Sequence, residues 1–312
     1  MELLFATSGL TRASVTADIN TKGSRFAVCG DMKNVVSENS GNKPTVIFYN
    51  TEVEYDGSSW SYGDTRYWLP KYEYSFVAIY PTSVLSGAAD DLQYSNSTLS
   101  STYTIPVSDG EKINTHELVD IIAATHRRGH TDNSATPVNL KFFHIMSRIN
   151  FLLSLTGTVD KVRVTEIELE GVNKTGTFAV TPATLTAGSR TDDYTLSWTD
   201  ISGMSNLVAE IDTDVNNGDT QPLFPDDNAM FMIPQPENKE IIMKITYIYD
   251  HGEEQLQQTM VAQTPIGGWE AGKMYSYSLA LDIVDEEVNM SFDVNVTDWK
   301  EGASNDVSVP RK

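Results

Sequence analysis

The sequence predicts an all-β protein, and three features of the 312-residue chain lead to that fold class. Apolar residues recur at every second position in many segments, which is the period of a strand with one buried face. Turn-forming pairs such as Asp56-Gly57 and Asn217-Gly218 separate these segments at intervals of roughly 8–15 residues. Segments with the period of a long helix are absent. This pattern is typical of antiparallel sandwiches rather than of alternating βαβ units.

The first half of the chain contains short runs rich in aromatic and β-branched residues, which favour strands. These runs predict strands at residues 3–8, 25–29, 45–49, 52–55, 74–80 and 103–107. One later segment allows two interpretations. Asn114 and Glu117 have the spacing of a capping box that begins a helix, whereas residues 119–124 also fit a strand. We favour the strand, because the neighbouring segments are strands.

The second half repeats the alternation with even clearer runs. Strands are expected at residues 149–155, 162–169, 194–198, 230–233, 241–249, 257–262, 274–281 and 290–296. Val162 and Val164 fall out of phase with Ile167 and Leu169. Because a one-residue slip turns side chains to the other face of a sheet, this change of phase predicts a bulge near Thr165-Glu166.

The segment 125–137 is polar and rich in turn formers, so it is the best candidate for a linker between domains. A division there gives two domains, residues 1–137 and 138–312. Each has a length suited to a sandwich of seven or eight strands.

The chain is strongly acidic: 22 Lys and Arg against 43 Asp and Glu give a formal net charge of −21. This charge opposes binding to nucleic acid or to an anionic membrane, because affinity there comes from Lys and Arg that neutralise phosphates. No stretch approaches the length of a membrane-spanning apolar helix. The opening residues 1–5 also lack the basic start and apolar run of a signal peptide.

Catalytic signatures are not found. The sequence has no Gly-x-Ser-x-Gly elbow, Walker loop, dinucleotide-binding glycine motif or His-Glu-x-x-His pair. The single cysteine, Cys29, lies in an apolar strand-like run, which favours a buried structural thiol over a nucleophile. No two carboxylates stand out as the acid pair of a glycoside hydrolase. We therefore expect no enzymatic activity and no cofactor.

Two groups of residues have some features of a metal site. His116, His126 and His130 lie within fifteen residues of one another and could converge on a metal, although a polar loop exposed to solvent is the interpretation we favour. Asp212 and Asp214 begin like a calcium loop, but the glycine and the final glutamate that such a loop requires are not in place. A solvated turn is favoured there, and no metal is expected.

An aromatic cluster lies between residues 60 and 74. It contains Trp60, Tyr62, Tyr67, Trp68, Tyr72 and Tyr74. Such residues usually fill a sandwich core, which is the interpretation we favour. The alternative is a platform that stacks against sugars, with Trp60, Trp68 and Tyr72 as the contacts.

A set of ordered landmarks carries a family resemblance. The segment 140–151, with His144, Ser147 and Arg148, resembles the His-x-x-Ser/Ala-Arg segment of fimbrillin-like proteins, the type V pilus subunits of Bacteroidetes bacteria. The further landmarks are Ile167-Glu-Leu-Glu-Gly171, Gly176-Thr-Phe178, Met230-Phe-Met-Ile-Pro234-Gln235, Trp269-Glu-Ala-Gly272-Lys273-Met-Tyr275-Ser-Tyr277 and Val296-Thr-Asp-Trp299. In the first half, Thr11-Arg12-Ala13 is similar to the family's mature N-terminus, and Asp120-Ile-Ile-Ala-Ala124 resembles a late strand of its N-terminal domain.

The resemblance implies two tandem transthyretin-like antiparallel β-sandwich domains. It also implies export as a lipoprotein, with the acylated Cys outside this chain, and assembly at the outer membrane into fimbriae. The partners would be other fimbrillin subunits and a receptor on host or bacterial surfaces, and the only membrane contact would be the lipid anchor.

The resemblance further implies cleavage after an arginine near the N-terminus, which removes the first strand and leaves a groove for a strand of the next subunit. Arg12 is the candidate cleavage site, and Arg25 is the second choice because it adjoins the next strand. The C-terminal residues carry Val307 and Val309 in alternation, enough for a stub strand. Shaft, tip and anchor positions therefore stay open.

The leading hypothesis is a structural and adhesive fimbrial subunit that assembles by strand exchange and has no catalytic activity. The alternative is a surface glycan-binding lipoprotein that uses the aromatic residues between Trp60 and Tyr74.

Overall fold

The structure is a computed structural model. It describes residues 2–9, 12–14, 17–35, 43–85, 92–132, 136–185, 190–224, 229–264, 267–284 and 287–299. Within these ranges the chain forms strands and two short 3-10 turns, Thr82–Leu85 and Thr115–Glu117, and no α-helix. The predicted all-β class is confirmed. No helix in this part of the chain is long and apolar enough to cross a membrane.

The strands are numbered in chain order. They are β1 (Phe5–Gly9), β2 (Arg12–Ser14), β3 (Ala17–Asp18), β4 (Arg25–Asn34), β5 (Thr45–Tyr55), β6 (Trp60–Ser61), β7 (Tyr72–Tyr80), β8 (Gln93–Ser95), β9 (Thr98–Thr104), β10 (Lys112–Ile113), β11 (Ile122–Arg128), β12 (Val138–His144), β13 (Ser147–Gly157), β14 (Lys161–Pro182), β15 (Arg190–Thr191), β16 (Tyr194–Asn216), β17 (Thr220–Pro222), β18 (Met230–Met232), β19 (Ile242–His251), β20 (Glu254–Gln263), β21 (Lys273–Val284) and β22 (Glu287–Asp298).

The chain forms two compact units. The first comprises Met1–Tyr103, Val119–Ile145 and Thr177–Asp200, and the second comprises Thr104–Leu118, Met146–Gly176 and Ile201–Lys312. This division differs from the predicted single cut after residue 137. The reason is that β12 pairs with β11 and with β1, and therefore belongs to the first unit.

The first unit contains a sheet with the strand order β1-β12-β11-β7-β4-β5-β6, in which β15 also pairs with β11, and it also contains the pair β8–β9. The central strands β4 and β7 are buried along most of their length. The core of this unit is unusually aromatic. Its buried rings are Phe5, Phe26, Phe48, Trp60, Tyr74, Phe76 and Phe142.

The second unit contains a sheet in which β17, β13, β21 and β22 are neighbours in that order, with β18 also paired to β13. It also contains the pairs β14–β19 and β19–β20. β13 and β19 bury alternate side chains, as a strand with one face on a core must. The alternation predicted at residues 149–155 and 241–249 is therefore confirmed.

The predicted antiparallel arrangement needs a correction, because three pairings among the described strands are parallel. They are β1 with β12, β13 with β21, and β10 with β16. In each pair the two strands lie far apart along the chain, so no tight hairpin connects them and the pairing is free to be parallel.

Two local predictions are confirmed. The register of β14 against β19 shifts between Val164 and Glu166, which is the expected bulge. The strand favoured after residue 118 also exists, although it begins at Ile122. The capping interaction forms as well: the Asn114 side chain accepts a hydrogen bond from the His116 N–H, but it caps only a 3-10 turn.

The predicted linker at residues 125–137 is wrong for its first four residues, which are the end of β11. Thr125, His126 and Arg128 are buried there. Their polar groups have partners: Thr125 Oγ1 donates to the Asp192 carbonyl at 2.9 Å, and His126 Nδ1 lies 2.7 Å from Asp192 Oδ1. Because these buried polar groups are hydrogen-bonded to Asp192, the residues can lie in a strand and do not need a solvent-exposed loop.

The strand β22 is more exposed than its alternating sequence predicts. Met290 is 37% exposed and Val296 is 41% exposed. Among the described strands, β22 lies at the end of its sheet and pairs only with β21. Its apolar side chains therefore receive less cover than those of a central strand.

Cys29 lies in the middle of β4 and is buried, as the sequence analysis favoured. The backbone N–H of Asn50 donates a hydrogen bond to its sulfur at 3.3 Å. Burial raises the pKa of the thiol from 9.0 to about 11, against the smaller opposing effect of that hydrogen bond. The thiol is therefore protonated at neutral pH and unsuited to nucleophilic chemistry.

We predict that Cys29 of the folded protein reacts slowly with a thiol reagent such as DTNB at pH 8. A rise of the pKa from 9.0 to about 11 lowers the thiolate fraction by about 100-fold, and burial slows access further. The rate should reach that of a free thiol when the protein is unfolded in guanidinium chloride. Rapid reaction of the native protein would contradict this description of β4.

Candidate functional site

The N-terminal strand β1 lies at one end of the first sheet. Among the described strands, its pairing with β12 is the only parallel pairing in that sheet. Its register runs from Phe5 opposite Val138 to Gly9 opposite Phe142. Just before the strand, the Val138 N–H donates to the Leu4 carbonyl at 2.7 Å. Parallel ladders are slightly weaker per residue than antiparallel ones, and this one is only five residues long.

The side chain of Phe5 holds β1 in the core. It is 4% exposed, and its ring lies 5.5 Å from both the Phe48 and Tyr62 rings and 5.8 Å from the Phe76 ring. All three contacts are edge-to-face, the geometry that aromatic pairs prefer. Leu3, just before the strand, is fully buried. These two side chains make β1 part of the core and not only of the sheet.

The edge of β1 that faces away from β12 is held by residues that follow β6. The Leu3 N–H donates to the Arg66 carbonyl at 2.8 Å, and the hydroxyl of Tyr62 donates to the Leu3 carbonyl at 2.6 Å. Further along, the Trp60 indole N–H donates to Thr7 Oγ1 at 3.1 Å. β1 thus pairs through its backbone with β12 on one edge, and it is held on the other edge mainly by side-chain contacts.

The first unit therefore has a slot that β1 fills. We define the strand slot by the backbone edge of β12, the rings that contact Phe5, and the contacts from Trp60, Tyr62 and Arg66. An empty slot would expose both unpaired backbone groups and an apolar core. Such a site would be chemically suited to bind an extended strand.

The two arginines considered for cleavage have different surroundings. Arg12 begins β2, which among the described strands pairs with the two-residue β3 in a separate ribbon. Arg25 begins β4 and forms ion pairs with Glu52 at 3.1 Å and with Glu54 at 2.9 Å. Isolated two-stranded ribbons are marginally stable, whereas β4 is a central strand. The backbone at Arg12 is therefore easier to open than the backbone at Arg25.

The three aromatic residues considered for glycan contact do not form one exposed platform. Trp60 is 6% exposed and belongs to the core. Trp68 packs against the edge of Tyr74, and the Arg128 guanidinium lies 3.8 Å from the centre of its ring. Tyr72 is half-buried at the start of β7. Most residues of this cluster therefore lie in the core or pack against it, which is the interpretation that the sequence favoured.

The residues considered as metal ligands have other partners. His126 bonds Asp192, as described above, and Asp212 forms a bidentate ion pair with Arg163, with N–O distances of 2.5 and 2.8 Å. Lys161 Nζ lies 3.1 Å from Asp214. Asp212 and Asp214 lie on strand β16 and not in the predicted turn. In the described part of the chain, no group of three or more His, Cys, Asp or Glu residues is placed to hold a metal.

The buried carboxylate of Asp31 has a structural environment. Tyr94 donates a hydrogen bond to it at 3.0 Å and Ser97 donates one at 2.9 Å. Burial raises its pKa, while these hydrogen bonds and the charge of Arg127 oppose the rise. Its oxygens thus accept hydrogen bonds from β8 and from the turn between β8 and β9, so Asp31 fixes this hairpin against β4.

The sequence predicted a strand at residues 3–8 but gave no sign of the contacts that brace it. Tyr62 and Arg66 follow β6 in a segment with no regular structure. Thr7 Oγ1 donates to Asn20 Oδ1 at 2.6 Å, a pairing across thirteen residues. No local pattern encodes these contacts, since each depends on how β6 lies beside β1.

A family comparison covers nearly the whole chain. A model of fimbrillin-like proteins matches residues 11–299. No curated protein matches the chain significantly.

Solved structures share the fold. A fimbrial protein from Bacteroides vulgatus superposes with a TM-score of 0.67 at 15% identity, covering 96% of this chain and 99% of that one. A candidate cell adhesion protein from Bacteroides uniformis gives 0.51 at 16% identity, with 96% and 97% coverage. A second candidate cell adhesion protein, from Bacteroides ovatus, gives 0.50 at 15% identity, with 96% coverage of both chains. At these identities the likeness concerns the fold alone.

The role of Phe5 in the strand slot can be tested by stability. Phe5→Ala should lower the free energy of unfolding by about 3–5 kcal/mol, because it removes a buried ring and leaves a cavity. The control is Leu4→Ala, since the Leu4 side chain is 42% exposed and its loss should change stability by no more than about 0.5 kcal/mol. Chemical denaturation measures both. Equal effects of the two substitutions would show that β1 does not carry the core as described.

Proposed function

The chain belongs to the fimbrillin-like family, and on that premise we propose that it is a structural and adhesive subunit of a cell-surface fimbria, joined to its neighbours by strand exchange and without catalytic activity. The observation that carries this proposal is the strand slot. A five-residue strand fills it, and that strand lies close to the chain's N-terminus.

The mechanism begins with cleavage after Arg12, which would separate residues 1–12 from the rest of the chain. That segment contains Leu3, Phe5 and the whole of β1. After it leaves, β12 becomes an unpaired edge and the rings around Phe5 lose their central contact. Both defects disfavour an empty slot, and both are repaired when an extended strand enters.

The incoming strand is proposed to come from another fimbrillin-like subunit. It needs alternate apolar side chains that replace Leu3 and Phe5, and a backbone that pairs with β12. Its affinity would come from the main-chain hydrogen bonds and its specificity from the pockets left by the two side chains. Each cut subunit brings a slot of its own, so repeated insertion would build a chain.

The position of this subunit in the fimbrium stays open among shaft, tip and anchor. Val307 and Val309, the candidate stub strand, lie outside the described residues. We also keep as proposals the lipid anchor outside this chain and a receptor on host or bacterial surfaces. The formal net charge of −21 is consistent with an assembly that binds neither nucleic acid nor a bare anionic membrane.

The cleavage proposal predicts a defined product. An Arg-specific protease should convert the pure protein into a stable fragment that starts at Ala13, with Arg25 left uncut, and the fragment should form multimers on gels. The matched control is Arg12→Lys, which keeps the charge but removes the recognition residue and should stay monomeric. Mass spectrometry identifies the new N-terminus. A wild-type protein that is not cut after Arg12 would contradict the proposal.

The slot itself can be tested with a peptide. A synthetic peptide of residues 2–9 should re-enter the slot of the cut protein and suppress multimers, because it restores Phe5 to the ring cluster. The same peptide with Phe5→Asp should have no effect, since an unpaired charge is costly to bury there. Size-exclusion chromatography measures the result. If both peptides act equally, multimers form by some route other than the slot.

A further inference from the structure

A pocket of about 580 Å³ lies beside β1 in the first unit. One wall is β1 itself, through Phe5, Ala6 and Thr7, and the opposite wall comes from Tyr55 and the β6 segment. The volume falls within the usual range for small-molecule sites. We call it the strand-side pocket.

The described lining of this pocket combines aromatic rings with small polar residues and carries one charged residue. Tyr55 and Trp60 form a wall with ring centroids 5.1 Å apart, and Tyr62 adds a third ring. Glu2 is the only carboxylate among the described lining residues, which include no Lys, Arg or His. In a chain with 21% charged residues, this lining carries few charges. Phosphate and carboxylate ligands would find no cation here.

Hydroxyl and amide groups converge on the same space. Thr7 accepts a hydrogen bond from Trp60 and donates one to Asn20, so these three side chains form a hydrogen-bonded relay. Ser61 and Thr65 also line the pocket. These groups can both donate and accept hydrogen bonds.

We propose that the strand-side pocket binds an uncharged saccharide and that the bound sugar holds β1 in place. A sugar ring presents C–H groups on its faces and hydroxyls around its rim. The C–H groups match the electron-rich faces of the aromatic rings, and the hydroxyls match the relay and the serine and threonine residues. Neither match requires a charge on the ligand.

The link to β1 follows from the composition of the pocket. Because residues 4–7 form part of its lining, the complete site exists only while β1 lies in the slot. A ligand that binds one conformation and not the other stabilises the first in proportion to its occupancy. Where strand exchange operates, as proposed above, sugar binding would therefore oppose it.

The first test measures binding to the full, uncut chain, so that it does not depend on strand exchange. Isothermal titration calorimetry with cellobiose, lactose and maltose should give at least one Kd of about 1 mM or tighter. Tyr55→Ser, which removes an aromatic wall, and Ser61→Trp, which fills the pocket from an exposed position, should each weaken that binding at least tenfold. Tyr49→Ser, on the same strand but with a 53% exposed side chain, should leave it unchanged.

The second test measures the effect on β1 by amide hydrogen exchange of the same uncut protein. At a sugar concentration ten times Kd, exchange of the β1 and β12 amides through local opening should slow by up to about 11-fold. The amides of β19 and β20 should not change.

If none of the three sugars binds, or if binding survives both pocket variants, the strand-side pocket is not a saccharide site. Binding without slower exchange in β1 would overturn the link to the strand. Neither result bears on whether a cut subunit accepts a donor strand, so the two proposals fail separately.

Discussion

The first unit depends on the contact between the ring of Phe5 and the rings that surround it. Few backbone hydrogen bonds hold β1, since its ladder is five residues long and parallel. Most of its stabilisation must therefore come from the burial of Leu3 and Phe5. β1 is therefore anchored mainly through these two side chains. Under the proposed strand exchange, a segment that presents similar side chains at the same spacing would take its place.

The polar residues that first resemble reactive groups are explained by the same need to complete a core. His144 lies next to the buried Asp120, with Nδ1–Oδ distances of 3.0 and 3.1 Å, and His126 lies next to Asp192. Each pair joins residues from different segments of the chain. Buried polar groups that are paired in this way specify which segments belong together, and they do so without any reaction.

Short-range information was sufficient for much of the fold. Alternation located most of the strands, and the change of phase after Val164 located the bulge, because both are properties of neighbouring side chains. Short-range sequence information did not predict the structure where a residue depends on a partner that is distant along the chain. Thr125 and His126 looked like a linker because Asp192, which satisfies them, is more than sixty residues away. The far half of β16 was missed because its outward residues are charged and pair with Lys161 and Arg163. The contacts around β1 were hidden for the same reason.

Along its outer edge, β22 has few residues that would block the pairing of a further strand. Along β22, twelve consecutive residues pair with β21 without a bulge. The strand contains no Lys or Pro, and Asp293 is the only charge between its ends. It therefore lacks most of the residues that usually prevent an edge strand from pairing with another chain. Main-chain groups carry little sequence preference. Within the described part of the chain, the outer edge of β22 is therefore a template on which an extended segment of another polypeptide would pair.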